Sequence, residues 1–138
     1  DLFQAGVGIC KPNDIALSLL VTVIGHQMEK GWVITDGGWM ALSRDRGTAN
    51  QKVDQGYGLV CDINGHMIKD LWVSGANQEH GIISARNGKT LNPKDFPIGT
   101  RLRILPNHAC STGAQHPCYY VVNNNLEIKD CWTRFYGW

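Results

Sequence analysis

The sequence predicts a mainly β domain, built as an antiparallel barrel or sandwich, and three observations support this class. Glycine is frequent, with 16 residues against five prolines, and runs of Ala, Leu, Glu and Lys are few. β-branched and aromatic residues gather in short stretches, which is typical of strands. Turn signals separate these stretches at a spacing of roughly 8–12 residues, which is typical of an all-β sandwich or barrel.

The first half of the chain contains four candidate strands. The first apolar run ends in β-branched residues, which favours a strand over a buried helix. Asp36, Gly37 and Gly38 end the second strand sharply, and residues 39–48 are predicted as a polar loop or a single helical turn. Asn64-Gly65 is the strongest hairpin signal in the chain. The predicted strands are residues 15–24, 32–35, 57–62 and a return strand through 67–68.

The second half continues the same pattern. Residues 101–105 alternate polar and apolar side chains, which indicates a half-buried strand that Pro106 and Asn107 end. The triplet 123–125 is the predicted turn of a last hairpin. The predicted strands of this half are residues 71–74, 80–84, 101–105, 119–122 and 126–132.

Length and composition exclude several classes of protein. A chain of 138 residues predicts one domain, 1–138, and is too short for a complete (β/α)₈ barrel enzyme. The formal net charge of +1 argues against nucleic-acid binding, which requires a basic excess. The longest apolar run is too short to span a membrane, which takes about 20 residues. Five cysteines without a compact pattern argue against a disulfide scaffold and favour reduced thiols in the cytoplasm.

The strongest candidate for a chemical site is the segment that holds His108 and Cys110. In extended backbone, residues two apart project to the same side, and imidazole nitrogen with thiolate sulfur suits zinc. Two ligands close in sequence would leave positions open, as in catalytic metal sites. The alternative interpretation of the spacing is a small buried cysteine beside a loop histidine.

Three further segments carry candidate chemistry, each with a structural alternative. His80 follows Glu79, which could orient or protonate its ring, although both side chains could equally belong to a solvated loop. Asp36 offers a carboxylate at a strand end, or marks a bulge. The segment with Arg44 and Asp45 could bind an anionic substrate group through a guanidinium, or form a solvated loop. The sequence therefore predicts His80 and Asp36 as catalytic, and Arg44 and Asp45 as substrate-binding.

Four ordered motifs together resemble a known family. They are DGG at 36–38 with ALSRDRG at 41–47, EHG at 79–81, PNHACST at 106–112 and WTRFYGW at 132–138. This series is similar to the C-terminal domain of the D-serine dehydratase and D-threonine aldolase family. The family consists of metal-activated pyridoxal-phosphate (PLP) enzymes of the alanine-racemase fold type. The resemblance spans nearly the whole chain and implies a β-barrel-like domain similar to the C-terminal domain of alanine racemase.

The resemblance also implies that the N-terminal and C-terminal domains of the enzyme have different roles. An N-terminal PLP-binding barrel would carry the cofactor lysine, and the β domain would supply metal ligands, here His108 and Cys110 with zinc or manganese. We therefore expect no cofactor-binding residue in this chain and no activity from it alone. The intact enzyme is expected to be a homodimer that eliminates water from a D-β-hydroxy amino acid. The alternatives are a D-threonine or hydroxyaspartate aldolase domain and a non-catalytic β-barrel binding module.

Overall fold

The computed structural model describes residues 1–124 and 126–135, and this part of the chain forms eight strands and three short α-helices. Asn125 of the predicted last turn and residues 136–138 of the last motif lie outside the described residues. The elements in chain order are α1 (Leu2–Gly6), β1 (Leu19–Gln27), β2 (Trp32–Thr35), α2 (Trp39–Leu42), β3 (Gly58–Cys61), β4 (Met67–Ala76), β5 (Gly81–Ala85), β6 (Arg101–Pro106), α3 (Ala109–Gly113), β7 (Cys118–Val122) and β8 (Ile128–Thr133).

Six of the strands close into one barrel in the order β1-β2-β5-β4-β3-β6, in which every neighbouring pair is antiparallel. The strands alternate between the interior and the exterior, as period-two side chains require. In β1, for example, Val21 and Val23 are buried while Leu20 and Ile24 are exposed. The predicted mainly β class is confirmed, and the architecture is a barrel rather than a sandwich.

The barrel interior is filled by one aliphatic cluster. Its buried members come from all six barrel strands and from α2, which places Leu42 in the same cluster. A smaller cluster of Leu2, Cys61 and Leu105 packs α1 against β3 and β6. The main cluster consists of Val21, Val23, Val33, Leu42, Val60, Leu71, Val73, Ile83, Leu102 and Ile104.

Three details of the strand prediction are wrong. The first strand is Leu19–Gln27 and not 15–24, because a 3₁₀ turn at Pro12–Asp14 precedes it and residues 15–18 have no regular structure. The predicted strands 67–68 and 71–74 form one strand, β4, that continues through a left-handed residue, Asp70 (φ 65°). The segment after β6 is helical at Ala109–Gly113 rather than extended.

The last two strands pair as the predicted final hairpin, but they form a two-stranded sheet separate from the barrel. All six residues of β8 are exposed, among them the large side chains of Ile128 and Trp132. Among the residues that the structure describes, no helix combines the length and the apolar character needed to cross a bilayer.

Candidate functional site

Three of the predicted motifs lie at one end of the barrel. Neighbouring strands of an antiparallel barrel run in opposite directions, so β2, β4 and β6 end at the rim where β1, β3 and β5 begin. Residues 36–46 follow β2, the turn 77–80 joins β4 to β5, and residues 107–113 follow β6. We call this rim with its three segments the site end.

Backbone contacts join the first two of these segments. The amides of Trp39 and Met40, which begin α2, donate to the carbonyl oxygens of Asn77 and Gln78 at 2.9 and 3.1 Å. A Cβ atom on Gly38 would lie 2.4 Å from the same Asn77 oxygen. Because no other residue fits this close approach, Gly38 allows the turn 77–80 to dock on the start of α2.

Buried polar side chains hold the third segment in place. The Asn107 amide nitrogen donates to Thr48 Oγ1 and to the Gly56 carbonyl oxygen, both at 2.6 Å, and its oxygen accepts from the Thr48 amide at 3.2 Å. Thr112 Oγ1 donates to the Leu42 carbonyl oxygen at 2.7 Å. Since buried polar groups are costly when unpaired, these contacts fix the backbone on both sides of His108.

The centre of the site end is a contact between His108 and Asp45. Asp45 Oδ2 lies 2.6 Å from His108 Nδ1 and accepts a hydrogen bond from Ser111 Oγ at 3.3 Å. The second carboxylate oxygen, Oδ1, accepts from the Gly47 amide at 2.8 Å. Each oxygen of the carboxylate therefore has its own partners, and the sequence-predicted substrate-binding Asp45 lies directly against a predicted metal ligand.

The charge of the Asp45 carboxylate determines which group carries the proton of its hydrogen bond with His108. The hydrogen bond from His108 lowers the pKa of the Asp45 carboxyl below its usual value, and this effect outweighs burial, which raises it. An ionised carboxylate can only accept hydrogen bonds, so His108 Nδ1 carries the proton and donates. In the neutral ring this leaves the lone pair on Nε2. The His108 side chain is 40% exposed, so the ring remains accessible to a ligand.

Cys110 adds an exposed thiol to the site end. The expectation that His108 and Cys110 share one extended segment is wrong, because of the two only His108 has extended backbone (φ −135°, ψ 112°). Cys110 is the second residue of α3. No group of three or more His, Cys, Asp and Glu side chains in residues 1–124 and 126–135 could hold a metal ion. A metal would thus have at most two such ligands from this part of the chain.

The other predicted site residues have different surroundings. The Asp36 carboxylate accepts a hydrogen bond from the Thr22 amide at 2.7 Å, so it links β1 to the segment after β2. The Arg44 guanidinium stacks over the Trp39 ring at 4.4 Å. His80 is exposed on the turn 77–80. No observation tests the catalytic or substrate-binding roles of these residues, which remain predictions.

Sequence reasoning did not identify Asn107 and Ser111 as parts of the site. Both lie in the motif 106–112, so their position beside His108 and Cys110 was the available signal. Their contacts reach Thr48 and Asp45, which are 59 and 66 residues away in the chain. Such long-range pairings depend on the barrel topology and cannot be read from local spacing.

Comparison with known proteins gives a consistent set of similarities. The family model described as "Putative serine dehydratase domain" matches residues 16–122. D-threo-3-hydroxyaspartate dehydratase from Delftia sp. is 53% identical over the whole chain, which corresponds to the C-terminal 37% of that protein. D-serine dehydratase from Saccharomyces cerevisiae is 30% identical over the whole chain and 32% of its own length. The chain thus spans about a third of the length of these relatives.

Solved structures agree with the sequence comparison. The Delftia enzyme superposes with a TM-score of 0.94 over the whole chain and 37% of its own length. Two further structures of a D-threo-3-hydroxyaspartate dehydratase are variants with a histidine replaced by alanine and, in a metal-free form, a cysteine two positions later replaced by alanine. The histidine variant matches with a TM-score of 0.93 and 51% identity, over the whole chain and 36% of its own length. The cysteine variant matches with a TM-score of 0.94 and 52% identity, over the whole chain and 37% of its own length. An alanine racemase-like protein from Idiomarina loihiensis matches at 0.91, with 48% identity, over the whole chain and 36% of its own.

Proposed function

The chain belongs to the serine dehydratase domain family, and on that premise we propose that it is the metal-binding C-terminal domain of a PLP-dependent dehydratase. The substrate would be a D-amino acid with a hydroxyl group on Cβ. Both dehydratases compared above act, by name, on such amino acids, hydroxyaspartate and serine. The higher identity to the hydroxyaspartate enzyme favours a substrate with a second carboxylate.

The observation that carries this proposal is the pair His108 and Cys110 at the site end. Histidine and cysteine two positions apart are the residues replaced in the variants of the related dehydratase, one of which is described as metal-free. In this chain the same spacing gives an accessible imidazole nitrogen and an exposed thiol. A nitrogen and sulfur donor pair fits zinc better than manganese, which prefers oxygen ligands.

The chain's own residues would bind the ion and present the substrate to it. His108 Nε2 and Cys110 Sγ would be the two ligands, and the remaining positions would be left to water, substrate or the rest of the protein. When bound, zinc supplies Lewis acidity for the departing hydroxyl group, and PLP supplies an electron sink for the Cα carbanion. Arg44 would pair with a substrate carboxylate.

His80 and Asp36 are the proposed proton-handling residues. Of the two, His80 is the more accessible, because it is exposed on the turn 77–80 while the Asp36 carboxylate accepts from the Thr22 amide. In this proposal the PLP lysine lies in an N-terminal barrel that precedes this chain in the protein. The intact enzyme would work as a homodimer in the cytoplasm.

The proposal is tested on the full-length protein with His108→Ala and Cys110→Ala, and with His66→Ala as the control. We expect loss of bound zinc and a fall of at least about 100-fold in turnover for the first two variants, with the PLP absorbance unchanged. His66 is an exposed hairpin residue, so its variant should behave as the unchanged protein. Zinc content is measured by elemental analysis, and turnover with D-3-hydroxyaspartate and D-serine before and after chelation.

The reaction products separate the proposal from its alternatives. A dehydratase releases an α-keto acid and ammonia, whereas an aldolase releases glycine and an aldehyde. Zinc-independent turnover that survives both substitutions would show that the metal role is wrong. Stoichiometric zinc without turnover of either substrate would favour a binding module.

A further inference from the structure

We propose that Asp45 is a positioning residue for the metal site, which sets the tautomer and the orientation of His108 so that Nε2 would be the nitrogen left to bind the ion. This inference rests on the proposed function, because it requires His108 to be a ligand. It gives Asp45 a different role from the substrate binding predicted by the sequence. It follows from the partners of the two carboxylate oxygens.

The Asp45 carboxylate is held by the backbone on one side and holds the imidazole on the other. Oδ1 accepts from the Gly47 amide at 2.8 Å, which anchors the side chain to its own loop. Oδ2 accepts from His108 Nδ1 at 2.6 Å. Because the first contact ties the carboxylate to backbone, the second ties the ring to the segment after β2.

Ser111 strengthens the same arrangement from α3. Its hydroxyl donates to Asp45 Oδ2 at 3.3 Å and lies 3.4 Å from His108 Nδ1. Because Nδ1 already carries a proton, the Ser111 hydroxyl donates to the carboxylate and not to the ring. The carboxylate thus has three donors, one from its own loop and two from the segment after β6.

The chemical consequence concerns the other nitrogen of the ring. A neutral imidazole has one N–H group and one lone pair, so a proton held on Nδ1 leaves Nε2 free to bind a metal. A carboxylate behind a ligating histidine also increases the basicity of the ligand. Without Asp45, His108 would sample both tautomers and several ring orientations, and metal binding would have to select one of them.

Asp45→Asn is the sharpest variant, because it preserves shape and reverses the hydrogen bond. The asparagine oxygen can keep the contact with the Gly47 amide, and this places the NH₂ group where Oδ2 was. The NH₂ group can only donate, so it pairs with His108 Nδ1 when the ring proton is on Nε2. This is the tautomer whose Nε2 cannot bind a metal.

The chain offers a matched control in Asp54→Asn. Asp54 has the same layout, with Oδ1 accepting from the Gly56 amide at 2.8 Å and Oδ2 paired with a side chain, but that side chain is Arg46. The two variants therefore remove the same charge from the same kind of turn. Only Asp45→Asn changes the partner of His108.

The experiment measures zinc affinity of the full-length protein by competition with a chromophoric chelator. We expect a loss of about 10- to 100-fold for Asp45→Asn and no change for Asp54→Asn. The unfolding midpoint of the metal-free protein should be equal for both variants. A lower midpoint for Asp45→Asn would show that the substitution destabilises the fold in general. In the cobalt-substituted protein, the thiolate charge-transfer band of Cys110 should persist in Asp45→Asn while the ligand-field bands change.

Two results would overturn the inference, and only the second would also overturn the proposed metal site. If Asp45→Asn binds zinc as tightly as Asp54→Asn while His108→Ala does not bind it, the positioning role fails and the metal site stands. If His108→Ala itself keeps its zinc affinity, the metal site fails and the positioning role with it.

If Asp45→Asn lowers the unfolding midpoint, Ser111→Ala serves as the second variant that tests the positioning role. We expect a loss of roughly two- to tenfold there, and an unchanged affinity would count against the inference.

Discussion

The two ends of the barrel carry the same three kinds of side chain and use them differently. At the site end the trio is Cys110, Asp45 and His108. At the opposite end, β3 and the hairpin turn that follows it provide Cys61, Asp62 and His66. In both trios a carboxylate oxygen contacts a histidine Nδ1, at 2.6 Å for His108 and 3.3 Å for His66. Composition alone therefore does not distinguish the two ends.

Orientation and accessibility distinguish them. The Asp62 carboxylate serves its own turn, because Oδ1 accepts from the amides of Asn64 and His66, both at 2.9 Å. The His66 ring is 82% exposed and its Nδ1 lies 3.3 Å from Asp62 Oδ2, which is a long contact, and Cys61 is buried. At the site end, an aspartate 63 residues away in sequence fixes the histidine and the thiol is exposed. A metal pair requires a fixed ring and an accessible sulfur together, and only the site end offers both among these two trios.

The largest expected difference between the ends is in cysteine reactivity. Burial raises the pKa of the Cys61 thiol to about 11, so about one molecule in a thousand is thiolate at pH 8. Iodoacetamide at pH 8 should therefore alkylate Cys110 at least about 100-fold faster than Cys61, as measured by peptide mass spectrometry of the full-length protein.

Zinc should protect one of these thiols selectively. Added zinc should slow the alkylation of Cys110 and leave that of Cys10 unchanged, because Cys10 lies between α1 and β1, outside the site end; Cys10 is therefore the internal control. Equal protection of both would mean that zinc binds thiols without regard to the site end.

The next effect concerns the polar contacts that fasten each end. Asn107→Ala would leave the Thr48 amide and the Gly56 carbonyl oxygen without their buried partner. We expect local stability at residues 47–56 and 107–113 to fall by about 3 kcal/mol, on the basis of roughly 1–3 kcal/mol for each unpaired group. Hydrogen exchange of these segments measures this loss.

A matched substitution at the opposite end should have little effect. Asn64 is exposed in the hairpin turn, and Asn64→Ala should change exchange in its segment by less than about 0.5 kcal/mol. If Asn107→Ala were equally mild, the buried network would not be what fixes the site end. Zinc affinity should likewise fall more in Asn107→Ala than in Asn64→Ala.

The features that the sequence predicted well were local ones. Alternating side chains in β6 and the Asn64-Gly65 turn identified strands and a hairpin correctly, because side-chain period and turn chemistry act over a few residues. The break in β4 at Asp70 was misread as a strand boundary, since a left-handed residue interrupts the pattern without ending the strand. The pairing of Asp45 with His108 depends on barrel closure, and no local pattern contains that information.

Among the substitutions of charged side chains, the smallest effect is expected for Asp62→Ala, which removes the carboxylate of the trio opposite the site end. The carboxylate is 40% exposed and serves only its own turn, so we expect a loss of less than about 1 kcal/mol in the hairpin.

Although burial raises the pKa of Asp62, hydrogen bonds from His66 and Asn64 outweigh it and lower the pKa below its usual value of 3.8. A lowered folded-state pKa contributes stability that is present above the unfolded pKa and is lost as the pH falls through the folded one. The difference between Asp62→Ala and the unchanged protein, measured by hydrogen exchange in residues 61–67, should therefore persist at about pH 4 and disappear at lower pH. Zinc affinity should be unaffected at neutral pH, and a loss comparable to that of Asp45→Asn would mean that both ends of the barrel act on the metal.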